Sequence, residues 1–167
     1  MIEINNLTTN PVDEEFLRKV AEKVLKEESR EPNLSIAIIG QGRMRKLNKR
    51  YLGKNRVTDV LAFGQTSRYK VKDLKYKTQD LGEIAICLRE VKKNARRFAP
   101  LEITGLGKKH KESKSLTGFD STFEQELARV LIHGILHLLG YDHEKNEKAA
   151  KEMEEKQKYY LNKIIKA

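Results

Sequence analysis

The sequence predicts a small α+β fold of layered α/β type, in which a mixed sheet of about four strands packs against about five helices. Its apolar residues fall into short blocks with strand or helix periodicity, although 35% of the residues are charged. Strand-like and helix-like blocks alternate early in the chain, and helix-like blocks dominate later. A length of 167 residues suits one ordinary domain, so we expect a single domain over residues 1–167.

Strands and helices alternate through the first part of the chain. Ile2 and Ile4 alternate with polar residues, which predicts a strand, and apolar residues recur at helical spacing after Asp13. Pro32 breaks that helix, and the run LSIAIIG predicts a strand that is apolar on both faces. In order, we predict a strand within residues 1–7, a helix over 13–29, a strand over 34–40, a short basic helix with Met44, Leu47 and Tyr51 on one face, and a strand over 58–63.

Helices dominate the second part of the chain, where three of the four histidines lie in or just after one long helix. The polar segments before that helix show no apolar period, which predicts loops, and Gly140 is a typical helix stop. We predict a loop over 64–80, a strand over 81–88, a helix over 89–98, a loop over 102–121, a long helix from 122 to near Gly140, and a last helix over about 145–165.

Basic residues outnumber acidic ones and concentrate in the middle of the chain. Lysine and arginine total 34 against 24 acidic residues, a net charge of +10. The segment from Arg43 to Arg56 holds seven basic residues and no acidic one. This excess favours a polyanionic partner, nucleic acid rather than a membrane, and a merely solvated surface is the alternative. The candidate contacts to a nucleic-acid backbone are Arg43, Arg45, Arg50, Lys54 and Arg56.

Cysteine content and the lack of a targeting segment predict the compartment. The one cysteine, Cys87, rules out an internal disulfide and is typical of a reducing cytosol. The N-terminal residues do not resemble a signal peptide, and no stretch has the roughly 18–20 uncharged apolar residues needed to span a bilayer. We therefore expect a cytoplasmic protein with neither a membrane association nor a disulfide-linked partner.

The segment HGILHLLGYDH, from His133 to His143, has the spacing of a metal site. His133 and His137 stand one helical turn apart, so both imidazoles project from the same face. Gly140 ends the helix, and the following turn brings His143 back. Three neutral imidazoles with an open fourth position are typical of catalytic zinc, so we expect one Zn²⁺ per chain on a zincin-like helix. Nickel, copper and iron also suit three imidazoles.

The residue after the first histidine decides which class of hydrolase the motif favours. The pattern H-x-x-x-H-x-x-G-x-x-H is also that of metzincin proteases, whose second position is a glutamate that acts as general base. That position is Gly134 here, which argues against peptide hydrolysis. A bound metal can still lower the pKa of water to about 7. We interpret Asp59 as a cap or turn residue at the strand start, with a polar group facing the site as the alternative. We interpret Asp142 as a turn residue or a partner that orients a histidine, rather than as a general base.

HGILHLLGYDH resembles the signature of the YbeY family of bacterial rRNA-maturation endoribonucleases. Further segments agree in order and spacing, namely LNKRYLGKNRVTDVLAF from Leu47 to Phe63, LGEIAIC, and Glu126 and Leu127 before the histidines. The resemblance covers roughly residues 34–160. It implies zinc bound by the three histidines, cleavage of single-stranded rRNA, and partners in the small ribosomal subunit, with ribosomal proteins among them.

Leu52 is the departure from the family pattern that bears most on the chemistry. The family usually has an arginine directly after the aromatic residue of this segment, and that arginine is linked to RNA cleavage, whereas this chain has Leu52. Arg50, Lys54 and Arg56 are the candidates to supply the charge instead. The loop before the histidine helix is longer than the family's, and we expect its His110 to be a solvated side chain rather than a ligand.

The leading hypothesis is a zinc-dependent endoribonuclease of rRNA maturation and ribosome quality control. Metal-activated water would attack the phosphodiester, and the basic segment Arg43–Arg56 would track the RNA backbone. Attack by the 2′-hydroxyl stays open, and no general base is assigned. The rival hypotheses are a ribosome-assembly factor whose metal is mainly structural and a metal-dependent hydrolase of another class, with a peptidase disfavoured by Gly134.

Overall fold

The computed structural model describes residues 1–28, 33–64, 80–98 and 122–166. Within these ranges it contains four strands and five helices in the predicted order, which confirms the predicted fold class. The elements are β1 (Ile2–Asn6), α1 (Glu14–Glu27), β2 (Asn33–Ile38), α2 (Gln41–Leu52), β3 (Val60–Gly64), β4 (Asp80–Ile86), α3 (Leu88–Phe98), α4 (Thr122–Leu138) and α5 (Glu147–Ile165).

The two predicted loops lie almost wholly outside the described residues. Of the loop predicted over 64–80, only Gly64 and Asp80 are described, and they end β3 and begin β4 instead. The loop predicted over 102–121, with His110, is outside the described ranges altogether. Among the helices that are described, none is long and apolar enough to cross a membrane.

The sheet is mixed and has the strand order β1-β2-β4-β3. β1 and β4 both run parallel to β2, whereas β3 runs antiparallel to β4. Parallel neighbours require a crossover, and α1 lies between β1 and β2 in the chain. β3 therefore stands at one edge of the sheet, beside β4.

Hydrophobic side chains cover both faces of the sheet. On β2, Ile36 and Ile38 enter the larger core, which also contains buried residues of α1, α3, α4 and α5. Ala37 and the following Ile39 enter a smaller core on the other face, together with Met44 of α2. Alternate side chains of a strand point to opposite faces, so this arrangement confirms the prediction that β2 is apolar on both sides.

A glycine lets α4 approach the sheet closely. Gly134 is buried against Ile84 of β4 and Val60 of β3. A Cβ at Gly134 would lie 3.2 Å from the Ile84 side chain and 3.4 Å from Val60. Any side chain in this position would require the Ile84 side chain to shift by a few tenths of an ångström. The close approach sets α4 beside the edge strand β3, and this juxtaposition forms the site described below.

The pairing of β3 with β4 depends on a second glycine. Gly82 has φ +141°, a conformation that side-chain-bearing residues rarely adopt. A Cβ at Gly82 would lie 2.2 Å from the carbonyl oxygen of Phe63 and 3.1 Å from the Leu138 side chain. The first of these contacts is with backbone, which cannot move without disturbing the strand pairing.

Gly82→Ala is therefore expected to lower the free energy of unfolding by about 2–4 kcal/mol. The matched control is Gly42→Ala, because Gly42 is exposed in the first turn of α2 and a Cβ there meets no atom within 4 Å. Better helix propensity should make that control neutral or more stable, by up to about 1 kcal/mol. Urea denaturation measures both changes. Equal, small effects of the two substitutions would contradict the role given to Gly82.

Candidate metal centre

α4 presents two histidines on one face. His133 and His137 are half-buried and stand one turn apart, as their spacing predicts. Their Nε2 atoms lie 3.1 Å apart. Both ring nitrogens therefore reach the same small region beside the helix.

The end of α4 reverses the chain so that a third histidine can return. Gly140 adopts φ +100° and donates its N–H to the carbonyl of His137 at 3.1 Å. The N–H of Tyr141 donates to the carbonyl of Leu136 at 3.0 Å. These two bonds form a Schellman cap, which ends a helix with a left-handed glycine. The predicted stop at Gly140 is confirmed, two residues beyond the last residue of α4.

Asp142 stabilises the turn that carries His143. Its Oδ1 accepts a hydrogen bond from the N–H of Glu144 at 2.8 Å, which closes an Asx turn around the histidine. The interpretation of Asp142 as a turn residue is confirmed. The turn leaves His143 exposed, with its ring centre 5.2 Å from that of His133 and 4.9 Å from that of His137.

The three histidines fit a single metal ion. One ring nitrogen from each lies within 4.8 Å of the others. Two nitrogens bound to a tetrahedral zinc at about 2.0–2.1 Å are about 3.3 Å apart, and the nitrogens of His133 and His137 are 3.1 Å apart. The structure thus brings together the three residues that the motif selects, in an arrangement that suits three protein ligands and one open position.

Gln157 of α5 sets the tautomer of His133. The Nδ1 atom of His133 lies 2.9 Å from Gln157 Oε1. An amide oxygen can only accept, so Nδ1 carries the proton and Nε2 keeps its lone pair for a metal. Sequence reasoning missed Gln157, because it lies 24 residues from His133 and only the packing of α5 on α4 brings the two together.

Burial favours the neutral imidazoles that a metal ion requires. It lowers the pKa of His133, although the hydrogen bond to Gln157 acts in the opposite direction. It also lowers the pKa of His137, and the neighbouring His143 adds to that effect. Because protons and metal ions compete for the same lone pairs, a lowered pKa keeps these nitrogens available at neutral pH.

A cavity of about 510 Å³ lies beside the histidines, lined by α4, β3 and the end of α2 with the segment after it. All three histidines belong to its lining. Of the five basic residues predicted to contact nucleic acid, Lys54 and Arg56 line the cavity. Arg43, Arg45 and Arg50 are exposed on α2 and are not part of the lining. The structure therefore brings only part of the predicted basic segment to the site.

Arg129 adds a cation to the cavity wall, one turn before His133. Both oxygens of Glu126 accept from its guanidinium, at 2.9 and 2.5 Å, and Asp59 Oδ2 lies 3.7 Å away. The hydrogen bonds that Arg129 donates to Glu126 raise the pKa of Arg129. Sequence reasoning missed this residue, and its i, i+4 spacing to His133 is the signal that could have identified it.

Asp59 faces the site, which was the alternative considered for it. It directly precedes β3, and its carbonyl accepts from the N–H of Cys87 at 2.8 Å. Its carboxylate lines the cavity and accepts from Nδ2 of Asn94 at 3.2 Å. The preferred interpretation as a turn residue was therefore incomplete, because the packing of α3 and α4 turns this side chain toward the site.

Comparison with known proteins identifies the family. The family model described as Endoribonuclease YbeY matches residues 3–104 and 108–165. A Thermotoga maritima relative named Endoribonuclease YbeY is 34% identical over 151 residues, which cover 90% of this chain and 79% of the relative. A relative of the same name from Sulfurihydrogenibium is 35% identical over 154 residues, which cover 92% of this chain and 84% of the relative.

A solved structure shows the same similarity at the level of the fold. The solution structure of a Thermotoga maritima protein matches with a TM-score of 0.57 and 32% sequence identity, covering 98% of this chain and 89% of that one. The residues matched by the family model include the segment between α2 and β3 and all three histidines. The chain therefore belongs to the endoribonuclease YbeY family.

Proposed function

We propose that this chain is a zinc-dependent, single-strand endoribonuclease of rRNA maturation and ribosome quality control, built as one domain over residues 1–167. Membership of the YbeY family supports an endoribonuclease, an enzyme that acts on RNA. The observation that carries the finer proposal is the meeting of three imidazoles in a cavity that also presents Lys54 and Arg56.

His133, His137 and His143 would hold the metal ion through one nitrogen each. When bound, the ion activates a water molecule or polarises a phosphoryl oxygen. Gln157 keeps the His133 ring in the orientation and tautomer that presents Nε2. The leucine and isoleucine side chains of α4 pack into the core and hold the helix rigid, which fixes the positions of its two ligands.

Phosphate contacts are assigned to Lys54 and Arg56. Within the described part of the chain neither side chain forms a salt bridge, and both line the cavity. The charge of Arg129 is already offset by Glu126 and Asp59. Arg129 therefore organises the wall of the cavity. The side chains of Lys54 and Arg56 supply the affinity for the RNA backbone.

The substrate and setting follow from the same proposal. We assign rRNA of the small ribosomal subunit as substrate, with ribosomal proteins as neighbours, in the cytoplasm. The net charge of +10 favours a large polyanion. The single cysteine, Cys87, is buried and free, which suits a reducing compartment.

Leu52 favours a second candidate, a ribosome-assembly factor with a mainly structural metal. Its side chain lines the cavity at the position where the family pattern usually has an arginine. A peptidase is disfavoured, because Gly134 packs against Ile84 and Val60 and offers no carboxylate. Cleavage of RNA by the metal-loaded protein would distinguish the endoribonuclease hypothesis from the assembly-factor hypothesis.

His137→Ala is expected to abolish high-affinity metal binding and RNA cleavage together, because it leaves two of the three imidazoles. Metal content and cleavage of single-stranded RNA are measured on the same sample. His110→Ala removes the remaining histidine of the chain and is the matched control, with both properties retained. Undiminished cleavage by a metal-free His137→Ala protein would exclude the mechanism. Products with a 5′-phosphate would support attack by water, and a 2′,3′-cyclic phosphate would indicate attack by the 2′-hydroxyl.

Gln157→Met is expected to raise the dissociation constant for zinc by about 10- to 100-fold, because it removes the acceptor that orients His133. Gln157→Glu keeps an acceptor at the same distance and should bind zinc at least as tightly as the original protein. Competition with a chromophoric chelator measures both constants. Equal affinities for the two variants would show that the hydrogen bond does not contribute to metal binding.

The double variant Lys54→Ala with Arg56→Ala is expected to bind RNA more weakly and with a smaller salt dependence. If each side chain contacts one phosphate, the slope of log K against log salt should fall by about 0.7 per residue. Arg43→Ala with Lys46→Ala removes the same charge from the exposed side of α2 and is the matched control. Fluorescence anisotropy over a salt series gives both slopes. Equal changes in the two double variants would mean that total charge, rather than the cavity, determines affinity.

A further inference from the structure

Two exposed apolar side chains lie in the wall of the histidine cavity. Tyr51 and Leu52 are 56% and 55% exposed, although large hydrophobic residues of the described chain are mostly buried. Both line the same cavity as the three histidines. Apolar surface that stays exposed beside a polar site is typical of a binding surface.

The ring of Tyr51 is held in a defined orientation. It makes an edge contact with Phe63 of β3, with ring centres 5.0 Å apart and an angle of 63° between the planes. The guanidinium carbon of Arg50 lies 5.5 Å from the centre of the Tyr51 ring. Two neighbours thus restrain the ring, while more than half of the Tyr51 residue remains exposed.

Asn48 anchors the backbone of the segment that carries Lys54 and Arg56 to α2. Its backbone carbonyl accepts from the N–H of Lys54 at 3.3 Å, and its side-chain amide donates to the carbonyl of Arg56 at 2.9 Å. Asn48 is buried, with 1% of its surface exposed. Gly53, with φ +68°, ends α2 between the apolar pair and the cations. The segment is therefore folded back on α2, and its apolar and cationic groups line one wall.

We propose that Tyr51, Leu52 and Phe63 form a nucleobase platform, on which one unpaired base of the RNA strand stacks while its phosphates contact Lys54 and Arg56. The platform rests on the proposed function and specifies the substrate as a single strand with an accessible base. A base is flat, apolar on its faces and flanked by phosphates, so it matches an exposed ring beside two cations. Leu52 then has a role of its own, since an aliphatic side chain extends the apolar surface.

The test compares the binding of intact and abasic RNA by metal-loaded protein. Single-stranded, cleavage-resistant oligonucleotides with 2′-O-methyl and phosphorothioate groups are used, together with a series in which one base at a time is removed. Tyr51→Ala should weaken binding of the intact strand by about 5- to 100-fold, the range for loss of one stacked base. Tyr51→Phe should restore binding. Tyr159→Ala removes an exposed tyrosine of α5 outside this cavity and should leave binding unchanged.

Coupling between the ring and one base distinguishes stacking from a general loss of structure. Removing the stacked base should weaken binding to the original protein and should not weaken binding to Tyr51→Ala any further. Zinc affinity, measured separately, should be the same for both proteins. Additive losses at every abasic position, or unchanged binding by Tyr51→Ala, would overturn the platform alone. Failure of the original protein to bind any single-stranded RNA would overturn both the platform and the proposed function.

Discussion

The contact between α4 and the sheet at Gly134 is the constraint on which the rest of the site depends. Because no side chain stands at this position, the helix packs closely against Ile84 and Val60. One side of α4 is then buried in the larger core, and the partly exposed His133 and His137 face the cavity beside β3. The same position carries no carboxylate where a metal peptidase has its glutamate, so one residue affects both the packing and the chemistry.

Around this contact, two further interactions turn a pair of helical histidines into a metal centre. The left-handed conformation of Gly140 reverses the chain and returns His143 to the other two rings. The hydrogen bond from His133 to Gln157 directs the lone pair of His133 Nε2 toward the region where the three histidine nitrogens meet. Burial lowers the pKa of both helical histidines. Geometry, tautomer and protonation state therefore all favour a metal ion.

The cavity also combines exposed apolar side chains with cationic ones. Tyr51 and Leu52 expose apolar surface, and Lys54 and Arg56 follow them directly in the chain. Hydrogen bonds between this segment and Asn48 fold the segment back on α2. A single-stranded nucleic acid alternates flat bases with phosphates, so these side chains and the metal centre fit one substrate.

Local patterns in the sequence determined the order of the elements and the positions of two metal ligands. The order of the strands and helices follows from the periodicity of the apolar residues, and the histidine pair follows from one-turn spacing. The stop at Gly140 follows from the conformational freedom of glycine. All three signals depend only on residues that are close in the chain. Only the tertiary structure decided that Gln157 orients His133, that Asp59 faces the cavity, and that Lys54 lies in it while Arg43 does not. These outcomes depend on how α2, α3 and α5 pack around α4 and β3, and contacts between residues far apart in the chain leave no periodic signal in the sequence.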